Sequence, residues 1–141
     1  MTSSEIKRKD RPSYGVGDAS YQAAGGEAGI RKLVDDFYDT MDRLPGASKI
    51  RAMHPADLTI SSDKLARFLC GWLGGPSLYA ERYGSINIPQ AHRRFAIGSS
   101  ERDAWLSCMA EALKNQPYAE EFKQYLLEQL YIPAERSRNK A

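Results

Sequence analysis

Between Gly26 and Met41 the apolar residues Ile30, Leu33, Val34, Phe37, Tyr38 and Met41 recur at i, i+3, i+4, i+7, i+8 and i+11. That is one stripe of an amphipathic helix, predicted from about Glu27 to Arg43. Leu44-Pro45-Gly46 ends it. A short turn or helix runs on to Met53, and His54-Pro55 breaks it, because the residue before a proline is driven out of αR. A second helix is predicted from about Ser61 to Leu73, with Leu65, Phe68, Leu69 and Trp72 on its apolar face and Gly74-Gly75-Pro76 as its stop. From Pro76 to Gln90 the pattern is irregular, which predicts loop and short helical turns. A third helix starts at Ser99 or Ser100, where Ser100-Glu101-Arg102-Asp103 reads as a capping box with Asp in the Glu position. Its inner face is Ala104, Trp105, Cys108, Met109, Ala112 and Leu113. A fourth runs from about Tyr118 to Leu130 with Phe122, Tyr125, Leu126 and Leu130 inward. No segment alternates with the period of a strand, so the fold class is all-α.

The 141 residues make one domain by length. The expected layout is an extension over 1–18, flexible or loosely docked, a folded domain over 19–132 and a polar tail over 133–141. Twenty Lys and Arg against eighteen Asp and Glu leave a formal +2. That balance speaks against a nucleic-acid binder, and Lys7-Arg8-Lys9-Asp10-Arg11 reads as solvated tail rather than a phosphate-binding arm. No apolar run reaches membrane-spanning length and Met1 to Asp10 has no signal-like core, so the expected compartment is the cytoplasm. Two cysteines are too few for a disulfide framework. Cys70 and Cys108 fall mid-helix without a neighbouring base and read as inert, buried thiols.

The chemistry-bearing residues are sparse. There are two histidines, His54 and His92, and no HExxH, CxxC, GxSxG or phosphate-loop motif. Zinc sites need three or four close ligands. A haem iron takes one proximal histidine and leaves its other side to a distal pocket. A single imidazole on an irregular segment facing an aromatic helical core is compatible with that. It is equally compatible with a histidine satisfied within the core or at the surface.

The order of the motifs adds a resemblance. Gly25-Gly26-Glu27, Phe37-Tyr38, His54-Pro55, Phe68-Leu69, WLGGPSLY over 72–79, AHRRFAI over 91–97 and ERDAWLSCM over 101–109 follow one another at family spacing. From about Tyr21 to Leu130 the chain resembles the group II truncated haemoglobins. The resemblance implies a two-over-two helical sandwich, a shortened globin, around a b-type haem (iron protoporphyrin IX). His92 matches the proximal iron ligand. Tyr38, Trp105, His54 and Ser61 match the distal, ligand-facing side, and Leu65 matches its apolar position. Phe68 and Leu69 match a pair that packs on the porphyrin, and Phe95, Ile97 and Met109 are expected to line it. Lys64 is expected at the pocket mouth, able to pair with a propionate, with Tyr79 and Arg94 as further cofactor contacts. The chain departs from many relatives at His54, where they carry Phe or Tyr, and in its longer N-terminal extension.

The function implied is reversible binding of O2, CO, NO or other small ligands, as in oxygen transport or storage, at an iron able to be five-coordinate. Hydrogen-bond donors from Tyr38, Trp105 and, depending on its tautomer, His54 would stabilise a ligand that draws charge from the iron. Each has a plainer reading: a tyrosine tied to backbone, a core tryptophan, a surface histidine. The alternative class is a redox enzyme using the same haem, for NO dioxygenation or for peroxide or nitrite chemistry, with an external reductase. A third is a haem-free helical interaction module. The expected state is a monomer or weak homodimer.

Overall fold

The computed structural model describes residues 14–140, and the part of the expected extension before Tyr14 lies outside them. Among the described residues there is no strand. The helices are α1 (Ala19–Ala23), α2 (Gly26–Arg43), α3 (Ser48–Ala52, entered through a 3-10 turn Pro45–Ala47), α4 (Thr59–Trp72), α5 (Leu78–Tyr83), α6 (Ile88–Ala91), α7 (Ser99–Lys114) and α8 (Glu120–Arg136). The four long ones form the frame. α2 packs against α4 and against α7, and α7 against α8, so the four long helices pack as two contacting pairs.

The α2 stripe is the spine of the core. Ile30, Leu33, Val34, Phe37, Tyr38 and Met41 are all buried. Across from it stand Cys108, Met109, Ala112 and Leu113 of α7 and Phe122, Leu126 and Leu130 of α8. Both cysteines are buried, and burial raises both thiols above their usual pKa. The thiolate needed for reaction is thereby disfavoured, in line with the inert reading.

Polar ties fix the layers where the core ends. The buried Gln116 side-chain amide donates to Asp36 Oδ2 at 2.6 Å and to the Ala112 carbonyl at 3.0 Å. The Asp63 carboxylate accepts from Arg31, Arg67 and Tyr83, joining α2, α4 and α5. These donors hold its pKa down at about 2. The chain is also closest where side chains are absent. A Cβ on Gly74, at φ +91°, would lie 2.0 Å from the Gly17 carbonyl oxygen, and one on Gly29 the same distance from that of Ala24.

Four expectations change. Tyr14 packs its ring 5.1 Å from Phe122 and 5.0 Å from Tyr125, so the last part of the expected extension is docked on α8. The cap of α7 is Gly98, not a serine, and its N–H donates to Glu101 Oε1 at 2.7 Å. Glu101, rather than Asp103, thus supplies the carboxylate of the first turn. α4 divides its apolar residues between two neighbours. Leu69 is buried with Ala66, Cys70 and Leu73 while also reaching the wall of a cavity, along which Leu65 and Phe68 remain partly exposed. Finally, α8 continues past Leu130 to Arg136 with Pro133 inside it. The proline removes one N–H, but Pro133 and Ala134 are buried, and that burial holds the last turn against the lost bond.

Candidate functional site

A cavity of about 330 Å³ opens between the two helix pairs. That is within the roughly 300–1,000 Å³ of small-molecule sites. Of the residues singled out from the sequence, it brings together Tyr38, His54, Ser61, Lys64, Leu65, Phe68, Leu69, Tyr79, His92, Arg94, Phe95, Ile97 and Trp105. Met109 is not among them. One turn beyond Trp105, α7 has left the cavity wall, and Met109 is fully buried in the core.

His92 follows α6, a single turn capped by Asn87, whose side chain accepts from Gln90 N–H at 3.0 Å, with Pro89 in its first turn. This short helix ends beside the cavity and aims the ring. His92 Nδ1 lies 2.8 Å from the Ile88 carbonyl oxygen. A carbonyl only accepts, so Nδ1 carries the proton and Nε2 keeps a free lone pair. A backbone carbonyl holding one ring nitrogen is the arrangement that orients a histidine whose other nitrogen binds a metal.

The opposite wall carries the polar groups. Tyr38 is 7% exposed, its ring set edge-on to Phe37 at 5.0 Å and to His54 at 5.5 Å. Trp105 lies 5.1 Å from Phe37. Neither the Tyr38 hydroxyl nor the Trp105 indole N–H has a hydrogen-bond partner among the described residues, and both residues line the cavity. Burial raises the Tyr38 pKa far above its ordinary value, so the hydroxyl keeps its proton and remains a donor.

Whether His54 can donate depends on its tautomer. Its Nδ1 stands 2.9 Å from the Ile50 carbonyl oxygen, so the neutral ring presents Nε2 as an acceptor, not a donor. Burial lowers its pKa, partly opposed by that hydrogen bond and assisted by the charges of Arg51 and His92. Arg51 braces the same turn by donating to the Pro55 and Ala56 carbonyls at 3.0 and 3.1 Å.

At the rim, the Lys64 ammonium lies 5.3 Å from the Tyr83 ring and the Arg94 guanidinium 4.8 Å from the Phe95 ring. Neither has an acidic partner among the described residues. The cavity therefore combines an apolar interior, one imidazole with an available lone pair, two unpartnered donors opposite and two free cations at the mouth. This donor set fits a haem: one axial nitrogen, an apolar slot and counter-charges for two propionates. No cluster of three or more His, Cys, Asp or Glu able to hold a bare metal ion occurs among the described residues, and no helix there is long and apolar enough to cross a membrane.

Several lining residues were not legible in the sequence. Ile50 and Met53 come from α3 and the turn after it, which are too short to show a period. Leu130, Pro133, Ala134 and Ser137 come from the last turns of α8 and beyond. The spacing of Leu126, Leu130 and Ala134 at i, i+4 and i+8 carried the signal, and Pro133 masked it.

A family model for bacterial-like globins matches residues 19–135. A group 2 truncated haemoglobin of Bacillus subtilis, YjbI, is 35% identical over 117 residues, 83% of this chain and 86% of its own. Among solved structures, a group II 2-on-2 haemoglobin of Agrobacterium tumefaciens superposes with a TM-score of 0.81 at 36% identity, covering 86% of this chain and 95% of the other. A truncated haemoglobin of Bacillus subtilis described as oxygen-avid gives 0.77 at 34% identity, covering 85% and 98%.

Proposed function

Because the chain belongs to the bacterial-like globins, with the group II truncated haemoglobins, and so carries haem, we propose that it binds O2 and related diatomic ligands reversibly, with His92 Nε2 as the proximal ligand and Tyr38 and Trp105 as distal donors. The observation that carries this reading is the pairing, across one cavity, of an imidazole with a free lone pair and two donors with no protein partner. Both donors open onto the cavity rather than onto a protein acceptor, so a ligand there can take their hydrogen bonds.

The haem supplies an iron that takes a small ligand on its open side and shifts negative charge toward it. The chain supplies the rest. The Ile88 carbonyl holds His92 in the tautomer that leaves Nε2 available. Leu65 and Phe68 present apolar surface on α4, which excludes water from the ligand side. The Tyr38 hydroxyl and Trp105 N–H each offer a bond to a charged ligand atom, worth about 1.5–3 kcal/mol. Lys64 and Arg94 are placed to neutralise propionates. The avidity named for the Bacillus subtilis relative is what two such donors would produce, and it supports the same behaviour here.

The test is haem retention and ligand binding in His92→Gly. The variant should purify with little haem and regain a five-coordinate ferrous spectrum when imidazole is supplied. Wild type should bind O2 and release it on deoxygenation over repeated cycles. A full haem complement with an unchanged ferrous spectrum in His92→Gly would refute the proximal assignment. Rapid oxidation of the iron on each exposure to O2, in place of release, would refute reversible binding and favour the redox alternative.

A further inference from the structure

Resting on the assignment of His92 as the proximal ligand, we propose that Asn139 is a positioning residue for that histidine, clasping its loop from beyond the end of α8. The loop from His92 to Ile97 carries HRRFAI, and Arg93, Arg94 and Ala96 in it are exposed. Its hydrogen bonds to any part of the described chain outside its own 88–97 neighbourhood all come from Asn139 and Lys140. Asn139 Oδ1 accepts from the Ile97 N–H at 2.9 Å. Its Nδ2 donates to the carbonyls of Phe95 at 2.7 Å and His92 at 3.3 Å. The main chain adds Asn139 N–H and Lys140 N–H, both donating to the Ile97 carbonyl at 2.8 and 3.0 Å.

A side-chain amide has one acceptor oxygen and two N–H donors, and the loop uses every one of them. Aspartate lacks the donors, glutamine is one methylene longer, and alanine offers nothing. The amide is held in place from its own side. The Ser137 hydroxyl donates to the Pro133 carbonyl at 3.0 Å, and Arg138 donates to the Lys140 carbonyl at 3.1 Å and also pairs with Glu135. His92 is therefore gripped twice: its ring through the Ile88 carbonyl and its own carbonyl through Asn139. The first bond sets the tautomer. The second fixes the backbone from which the ring projects, and with it the azimuth and reach of Nε2. The segment read from sequence as a polar tail thus completes the proximal wall.

The experiment uses the full-length, haem-loaded protein with Asn139→Ala and the near-isosteric Asn139→Asp. Three readouts are taken: transfer of ferric haem to an excess of an apoglobin scavenger, the iron–histidine stretching band of the ferrous five-coordinate form, and amide hydrogen exchange of the 92–98 segment. Asn139→Ala should lose haem roughly tenfold faster, the yield of three bonds at the low end of the usual range, and Asn139→Asp, which keeps the acceptor for the Ile97 N–H but loses both donors, roughly fivefold faster. Both should shift or broaden the iron–histidine band and exchange the loop faster, while far-UV melting of the haem-free chain stays close to wild type. Wild-type haem loss and an unaltered band in Asn139→Asp would overturn the clasp, since only packing volume would then matter. The same result in Asn139→Ala would overturn it outright. His92→Gly keeps the two assignments apart. If it retains haem with an unchanged spectrum, the proximal reading has failed. If it loses haem while both Asn139 variants behave as wild type, the clasp alone has failed.

Discussion

Tyr38→Phe removes one oxygen from a side chain that is otherwise part of the core. The ring keeps its edge contacts with Phe37 and His54, and its burial is unchanged. The hydroxyl donates to nothing in the protein, so its loss breaks no structural bond. The usual penalty of deleting a buried hydroxyl comes from the partner left behind, and here none exists. Stability should therefore stay level or rise. A lost protein bond of about 1 kcal/mol would instead lower the melting temperature by roughly 4 °C in a chain of this size. Ligand release should respond in the opposite sense. A donor bond to a charged ligand is worth about 1.5–3 kcal/mol, which slows dissociation by a factor of roughly 10–100. Stopped-flow mixing of the O2-loaded ferrous protein with dithionite and CO reads that rate. CO dissociation is the internal control, because bound CO carries less negative charge. An O2 off-rate within a factor of two of wild type would refute the donor role. A drop of several degrees in melting would show that the hydroxyl serves the fold instead.

Trp105→Phe should speed O2 release in the same direction by roughly tenfold, and the double variant should exceed either single one. Burial and the charge of Arg51 depress His54, partly opposed by its bond to the Ile50 carbonyl, so its protonation falls below the ordinary value of about 6.5. A ferric absorption change is expected in that acid range as Nε2 turns from acceptor to cationic donor. It should vanish in His54→Phe, and a transition of the same midpoint and amplitude there would place the titrating group elsewhere. Asp63, held at about 2 by Tyr83, Arg31 and Arg67, stabilises the fold above the unfolded carboxyl range near 4 and loses that contribution as pH falls toward 2. Asp63→Asn should cost about 1 kcal/mol at pH 7, allowing for solvent screening of a partly exposed group. Melting curves of variant and wild type should converge by about pH 2. A constant gap across the range would mean that the ionised carboxylate is not what matters.

The stripe of α2 was legible because helical periodicity is local: every member from Ile30 to Met41 is buried. The stop at Gly74 was equally legible, since a positive φ and a neighbouring carbonyl leave room for no other residue. The run of motifs from Phe37 to Trp105 also carried the family and its cofactor. Tertiary structure decided how each face was shared. Ala66 and Cys70 went to the core alone, Leu69 is buried with one side on the cavity, and Leu65 and Phe68 stay partly exposed along it, a choice set by which helix crosses where, and periodicity holds no information about that. Met109 matched a lining position in the motif and is enclosed instead. α8 runs through Pro133 because burial of Pro133 and Ala134 outweighs one missing backbone bond, an energy that exists only once the helix is docked. The tautomers of His54 and His92 follow from single carbonyls, those of Ile50 and Ile88, at distances that the chain defines only when folded. Asn139 is the furthest from sequence. Its three partners lie 42 to 47 residues away, and a polar residue outside any periodic element gives no sign of the loop it will hold.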